Sequence, residues 1–294
     1  MKISYFSILL IFLTSTNTFA KCVCERYNDP NTPVNVAIID LIRGNNTTAI
    51  NLLTESKKPN ISNACGAGIL LISSINNNEE VTSLFLQAGA DPNMANLKGL
   101  TPVHNAAKWS SNETLSILLK AGGNPNPSLH GCLKEKIYNT PLLIAAANKN
   151  INGIKLLLKY NADFNHENKN GYNVFEVLLI GEIPLNSIIE AIDEIPSEER
   201  KKNALSLLLF NTATTMKNDY LIKLLSLGVD PNFIYKDDVK FNTPLLVAAI
   251  SNNIEAAKAL ISHGADINYK NSKGYSLEII VSEGHSQELS HIFK

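Results

Sequence analysis

One short motif recurs along the chain at intervals close to 33 residues, and this internal repeat constrains the fold more than any other feature. The motif places small residues before an aspartate or asparagine and ends in asparagine, as in AGADPN, which ends at Asn93. The spacings between successive final asparagines are 33, 33, 39, 67 and 36 residues. These asparagines are Asn60, Asn93, Asn126, Asn165, Asn232 and Asn268. A period of this length predicts an array of stacked units rather than one non-repeating core.

Each repeat carries the signals of two helices joined by a turn. A Thr-Pro pair stands 25 residues before three of the asparagines, at Thr101-Pro102, Thr140-Pro141 and Thr243-Pro244. Threonine can cap the free amides of a helix start, and proline at the first helical position lacks only a donor that would be unpaired anyway. Paired leucines close the second helix, and a glycine after them permits the left-handed turn that ends it. One such pair cannot bury its apolar side alone, so the units must stack.

These residues resemble the ankyrin repeat, whose motif reads T-P-L-H-x-A-A at the first helix and G-A-D-x-N after the second. The chain supplies TPVHNAA at 101–107, TPLLIAA at 140–146 and TPLLVAA at 243–249. The resemblance implies an all-α ankyrin-repeat solenoid, in which helix-turn-helix pairs stack and β-hairpin fingers project, over residues 35–294. We expect repeats to open near residues 35, 68, 101, 140, 173, 207 and 243, with a partial C-terminal cap from residue 276.

The resemblance also implies that a partner protein binds the concave face, which finger tips and the exposed ends of the first helices form. The matching positions are Leu97, Lys98, Leu100, Lys108, Trp109, Lys169, Tyr172, Lys273 and Tyr275. Trp109 falls where the motif expects a small or polar residue, so an exposed ring there would be a strong contact residue. The alternative is that the ring folds back onto the adjacent repeat. We expect the chain to act as a monomer.

Two fingers are longer than the period requires. The segment between Asn126 and Thr140 has six extra residues, and the segment between Asn232 and Thr243 has three. Extra residues on one edge of a solenoid commonly serve binding. The candidate contact residues in these inserts are Tyr138, Phe233, Tyr235 and Phe241. For the three aromatics of the second insert, two interpretations stay open: they anchor a partner, or they pack against the neighbouring finger.

The first twenty residues have the pattern of a cleavable signal peptide. Lys2 precedes an apolar run over residues 3–13, and a polar segment ends in Thr18-Phe19-Ala20, with small residues at the −3 and −1 positions. We expect cleavage after Ala20, an N-terminal arm over residues 21–34, and a periplasmic or secreted mature protein. The apolar run is too short to cross a bilayer, and no later segment is apolar for long enough to do so.

Four cysteines remain after this cleavage, and an even number in an exported chain favours disulfides. Cys22 and Cys24 precede the first repeat, Cys65 lies in the finger before the second, and Cys132 lies in the first long finger. A bridge from the N-terminal pair to Cys65 would tie the arm to the array. In the alternative, the N-terminal arm runs along the fingers to Cys132. No histidine stands at ligand spacing from the N-terminal pair, so a zinc site is the weaker interpretation.

The sequence shows no catalytic or cofactor motif: no Gly-x-Ser-x-Gly, His-Glu-x-x-His or phosphate-binding glycine loop is present. A net charge of −1 gives no bias toward nucleic acid or anionic membranes. We therefore predict a protein-binding module that is not an enzyme and needs no cofactor or metal. The favoured role is a periplasmic inhibitor or immunity protein. The alternatives are a scaffold or protective partner of a periplasmic enzyme, an exported effector that binds host proteins, and a hydrolase with an unrecognised site.

Overall fold

The computed structural model describes residues 29, 31–64, 66–127, 140–236 and 241–293, with side chains up to residue 291. Within these ranges the chain forms fifteen α-helices and a C-terminal 3₁₀ helix, and no strand. The all-α array of helix pairs predicted from the repeat is therefore confirmed. The predicted signal peptide, all four cysteines and Tyr138 lie outside the described residues. Two compact units divide the chain, Met1–Ile144 and Ala145–Lys294.

The first unit stacks helix pairs in two layers. The first helices of the pairs, α1, α3 and α5, pack on one another in order, and the second helices, α2, α4 and α6, do the same. The bounds are α1 (Pro33–Ile42), α2 (Thr47–Ser56), α3 (Ile69–Ser73), α4 (Glu79–Gln87), α5 (Pro102–Trp109) and α6 (Asn112–Lys120). A seventh helix, α7 (Pro141–Ala147), begins in this unit and ends in the next.

The second unit repeats this arrangement. In one layer α9, α11, α13 and α15 pack on one another in order, and in the other α8 packs on α10 and α12 packs on α14. The bounds are α8 (Ile151–Lys159), α9 (Val174–Ile180), α10 (Leu185–Asp193), α11 (Glu198–Thr214), α12 (Asn218–Ser226), α13 (Pro244–Ile250), α14 (Ile254–Ser262) and α15 (Leu277–Ser282). The 3₁₀ helix Gln287–Phe293 packs on α15.

A left-handed residue marks the turn between the two helices of each repeat, including repeats whose sequence departs from the motif. Among the described residues these positions recur every 33 to 39 residues. They are Gly44, Asn77, Ser110, Lys149, Glu182, Met216, Asn252 and Ser286. The backbone therefore keeps the repeat through the region where the Thr-Pro signal is lost.

Asparagine side chains, of which the chain contains 37, form hydrogen bonds that shape the fingers. The side-chain oxygen of Asn96 accepts hydrogen bonds from the amides of Lys98 and Leu100, at 2.9 and 3.0 Å, and so closes the finger turn. Asn93, the final residue of the motif, bridges to the next repeat: its side-chain oxygen accepts from the amide of Asn124 at 2.7 Å. Short polar side chains of this kind satisfy turn amides that water would otherwise solvate.

The junction between the fifth and sixth repeats has no finger. Helix α10 ends at Asp193, and α11 begins at Glu198 after a four-residue link. Ser197 caps α11 by accepting from the amide of Arg200 at 3.3 Å, and two glutamates in the first turn favour a helix start there. Residue 207, near which the period predicts the sixth repeat to open, therefore lies inside a 17-residue helix.

Arg200, in the first turn of α11, contacts the segment that follows α8. Its guanidinium donates to the side-chain oxygen of Asn161 and, at 3.0 Å, to the carbonyl of Ala162. It also lies 5.4 Å from the ring centroid of Phe164. A cation that donates to a carbonyl oxygen and lies over an aromatic face is favourable on both counts.

Candidate protein-binding site

The first unit presents its predicted contact residues at a finger tip and at the end of α5. Leu97 is 57% exposed, whereas Lys98 and Leu100 beside it are half-buried. The Asn96 hydrogen bonds fix the backbone on both sides of Leu97, so its exposure is a property of the turn and needs no rearrangement. An exposed leucine on a fixed backbone can bind a partner with little loss of conformational entropy.

Lys108 and Trp109 end α5. Lys108 is exposed and Trp109 is half-buried, with the lysine ammonium 5.1 Å from the ring centroid. The helix start is fixed by a capping box in which Thr101 and His104 bond each other's backbone amides. The accessible part of the Trp109 ring is thus held on a rigid element, and its role in partner binding stays a prediction.

In the second unit, the predicted residues also lie at finger tips. Lys169, Tyr172 and Lys273 are exposed, with 40% of Tyr172 accessible. Tyr275 is half-buried, because its ring packs on Phe241 with centroids 5.4 Å apart. Tyr172 therefore offers a partner more of its ring than Tyr275 does.

Ile180, which is not among the predicted contact residues, is 56% exposed at the end of α9. Ile180 follows Asn173 by seven residues, as Lys108 follows Thr101, so both occupy the same place in the repeat. It was missed because the run VFEVLLI looks like continuous core. Ile180 could have been predicted from the presence of an isoleucine at a position that differs from repeat to repeat.

The aromatic residues of the second long finger pack within the second unit. Phe233 and Tyr235 contact Phe210 of α11, with ring centroids 6.5 and 4.8 Å apart. Phe241 contacts Tyr275. All three side chains of the insert are half-buried. These contacts agree with the interpretation in which the insert packs on its neighbours. That these aromatics contact a partner stays a prediction.

A partly buried carboxyl group lies beside this finger. Burial raises the pKa of Glu176 above its ordinary value, and the nearby Glu167 carboxylate adds to the rise. The hydrogen bond from the backbone amide of Asn173, at 2.9 Å, and the charge of Lys236 lower the same pKa but do not outweigh burial. The ionised form of Glu176 is therefore disfavoured in the folded protein.

We expect Glu176→Gln to raise the Tm near pH 7. The gain should shrink as the pH falls through the raised pKa of Glu176 and disappear below the ordinary pKa of a glutamate. A carboxyl whose pKa rises on folding reduces stability while it is ionised, and this cost vanishes once the group is protonated. Glutamine keeps an acceptor for the Asn173 amide. Thermal unfolding followed by circular dichroism from about pH 8 to about pH 4 measures the effect. Glu55→Gln, at an exposed carboxylate in α2, controls for net charge. A Gln variant less stable than wild type at every pH would contradict the prediction.

We also searched the described part of the chain for metal-binding clusters and membrane-spanning helices. It contains no group of three or more histidine, cysteine, aspartate or glutamate side chains placed to hold a metal ion. None of its helices combines the length and the apolar character that a membrane span requires.

Comparison with known families agrees with the repeat geometry. A family profile described as ankyrin repeats in three copies matches residues 35–128, which cover α2 to α6 and all but the first two residues of α1. Profiles described as an ankyrin repeat match residues 138–166, with α7 and α8, and residues 240–272, with α13 and α14. The segment 167–239, which includes the junction without a finger, falls between these matches. No curated protein matches the chain.

Proposed function

The chain belongs to the ankyrin-repeat family, and from that premise we propose that it is an exported module that binds one partner protein and inhibits or protects it. Its fold class is the all-α ankyrin-repeat solenoid, and ankyrin repeats are protein–protein interaction modules. One observation supports binding most directly. Leu97, Tyr172 and Ile180 are large apolar residues that stay exposed at finger tips and at the end of α9, whereas most apolar residues of the helices are buried. Exposed anchors on rigid elements are what interfaces use.

Export is part of the proposal, and its support comes from the first twenty residues. The charged start, short apolar run and Thr18-Phe19-Ala20 ending form a signal-peptide pattern. Four cysteines in the remaining chain suit an oxidising compartment. An inhibitor and a protective scaffold need the same surface, and they differ in what binding does to the activity of the partner.

The test is capture of the partner from a periplasmic extract with the exported wild-type chain and with Trp109→Ala and Ile180→Ala, one change in each unit. We expect at least one of the two variants to retain about tenfold less partner, because losing one strong contact residue costs more than 1 kcal/mol. Helical content and Tm should stay close to those of wild type. The intact mass of the bait shows whether the mature chain begins at Lys21.

Ile222→Ala provides the matched control, because Ile222 is an exposed isoleucine on α12 and no candidate contact residue. It should capture as wild type does. Titration of the purified partner then separates the roles: activity that falls to zero at one equivalent identifies an inhibitor, and unchanged activity with a longer half-life identifies a protective partner. Equal capture by all variants would show that neither Trp109 nor Ile180 belongs to the binding site.

A further inference from the structure

The long finger after the sixth repeat, residues 228–242, reaches back past the junction that lacks a finger. The structure describes residues 228–236 and 241–242 of it. The hydroxyl of Tyr235 donates to the carboxylate of Glu167, and the ammonium of Lys236 lies 2.6 Å from the same oxygen. Glu167 belongs to the finger between the fourth and fifth repeats, 68 residues earlier than Tyr235. The contact therefore spans the place where residues 194–197 omit a finger.

Ring packing orients this polar contact. The Tyr235 ring stacks on Phe210 with centroids 4.8 Å apart and planes inclined by 20°, and Phe233 meets the same ring edge-on at 6.5 Å. Phe210 is 5% exposed beneath them. The backbone amide of Tyr235 also donates to the carbonyl of Asn242 at 2.8 Å, which closes the finger. A pair held in this way loses less side-chain entropy than a free surface ion pair.

This geometry explains two irregularities together. The junction after α10 omits a finger, and the next finger along the chain is three residues longer than the period requires. We infer that Phe233–Lys236 form a strap that replaces the missing finger and ties the finger carrying Glu167 to the sixth repeat. Repeat arrays are otherwise coupled only between nearest neighbours. The strap adds a coupling that skips one finger position.

The strap also affects the surface of the second unit. Tyr172 stands five residues after Glu167 in the same finger. The strap therefore orders a finger that presents an exposed aromatic side chain. This ordering belongs to the free protein and does not depend on the proposed function.

Hydrogen exchange of the full chain tests the strap with Tyr235→Ala. We expect the backbone amides of residues 163–172 to exchange at least about tenfold faster, the factor that follows from losing one hydrogen bond to a charged group. Amides in α14 should keep wild-type rates. Ile234→Ala is the matched control, because Ile234 is exposed in the same finger and should leave residues 163–172 unchanged.

A second pair of variants separates the hydrogen bond from the ring packing. Tyr235→Phe keeps the stack on Phe210 and removes the hydroxyl, and Glu167→Ala removes the acceptor. Their effects on exchange in residues 163–172 should be non-additive, because both remove the same bond. Independent, multiplying effects would overturn the inference. So would equal exchange in Tyr235→Ala and Ile234→Ala, or a uniform acceleration across the second unit in Tyr235→Ala.

Discussion

Replacing Phe175 with alanine is expected to lower the free energy of unfolding by about 3–5 kcal/mol, the largest loss that we expect from a single substitution in this chain. Phe175 is 1% exposed in α9, and its ring centroid lies 5.9 Å from that of Phe164. The fifth repeat has no Thr-Pro start and no finger after it, so apolar packing supplies a large part of its attachment. A cavity beside α9 removes that packing, and the rigid neighbouring helices cannot close it fully.

Urea unfolding followed by circular dichroism measures this loss. Phe175→Leu is the matched control, because Leu142 occupies the corresponding position of the fourth repeat. We expect it to cost about 1–2 kcal/mol, since leucine fills most of the volume. A Phe175→Ala variant within about 1 kcal/mol of wild type would show that α9 is not packed as the structure has it.

Much of the fold could be predicted because its signals are local and repeated. Helices α5, α7 and α13 begin at Pro102, Pro141 and Pro244, the residues that the Thr-Pro signal places first in a helix. The physical reason is that capping threonine and first-turn proline act within four residues, whatever the rest of the chain does. The alternation of helices could therefore be predicted before any contact was known.

The start of α11 and the strap could not be predicted from the period. A period assumes that each repeat resembles its neighbours, whereas Ser197 and the two glutamates after it start a helix about nine residues before the expected opening. The contact between Tyr235 and Glu167 joins residues 68 positions apart, and no local pattern encodes it. The composition of the aromatic insert marks it as a candidate contact region, but its packing on Phe210 depends on the missing finger.

The candidate site likewise has features that could be predicted from the sequence and features that could not. The motif gives positions, so the finger-tip exposure of Leu97 and Tyr172 follows from the turn. It does not give the degree of burial of Trp109 or the exposure of Ile180, which depend on how neighbouring helices cover each end. Predicting those values requires the packing of the flanking repeats, not their sequence pattern.

Asn173→Ala should have the second largest effect, a loss of about 2–4 kcal/mol in the free energy of unfolding. Asn173 is buried, and its side-chain oxygen accepts from the amides of Phe175 at 2.9 Å and Glu176 at 3.3 Å. The same oxygen accepts from the side-chain amide of Asn211 on α11 at 2.7 Å. Alanine removes the helix cap and leaves a buried donor of Asn211 without this acceptor.

Two further variants divide that loss into its parts, measured by the same urea unfolding. Asn173→Thr restores a capping oxygen of the kind that Thr101 and Thr243 supply to α5 and α13, and should recover about 1 kcal/mol. The double variant with Asn211→Ala should lose less than the sum of the single variants, because the stranded donor is gone. If Asn173→Thr were as unstable as Asn173→Ala and the double variant additive, neither the cap nor the Asn211 bond would hold α9 to α11. The sharing of one buried oxygen between a helix start and its neighbour is thus what lets the fifth repeat do without a threonine and proline.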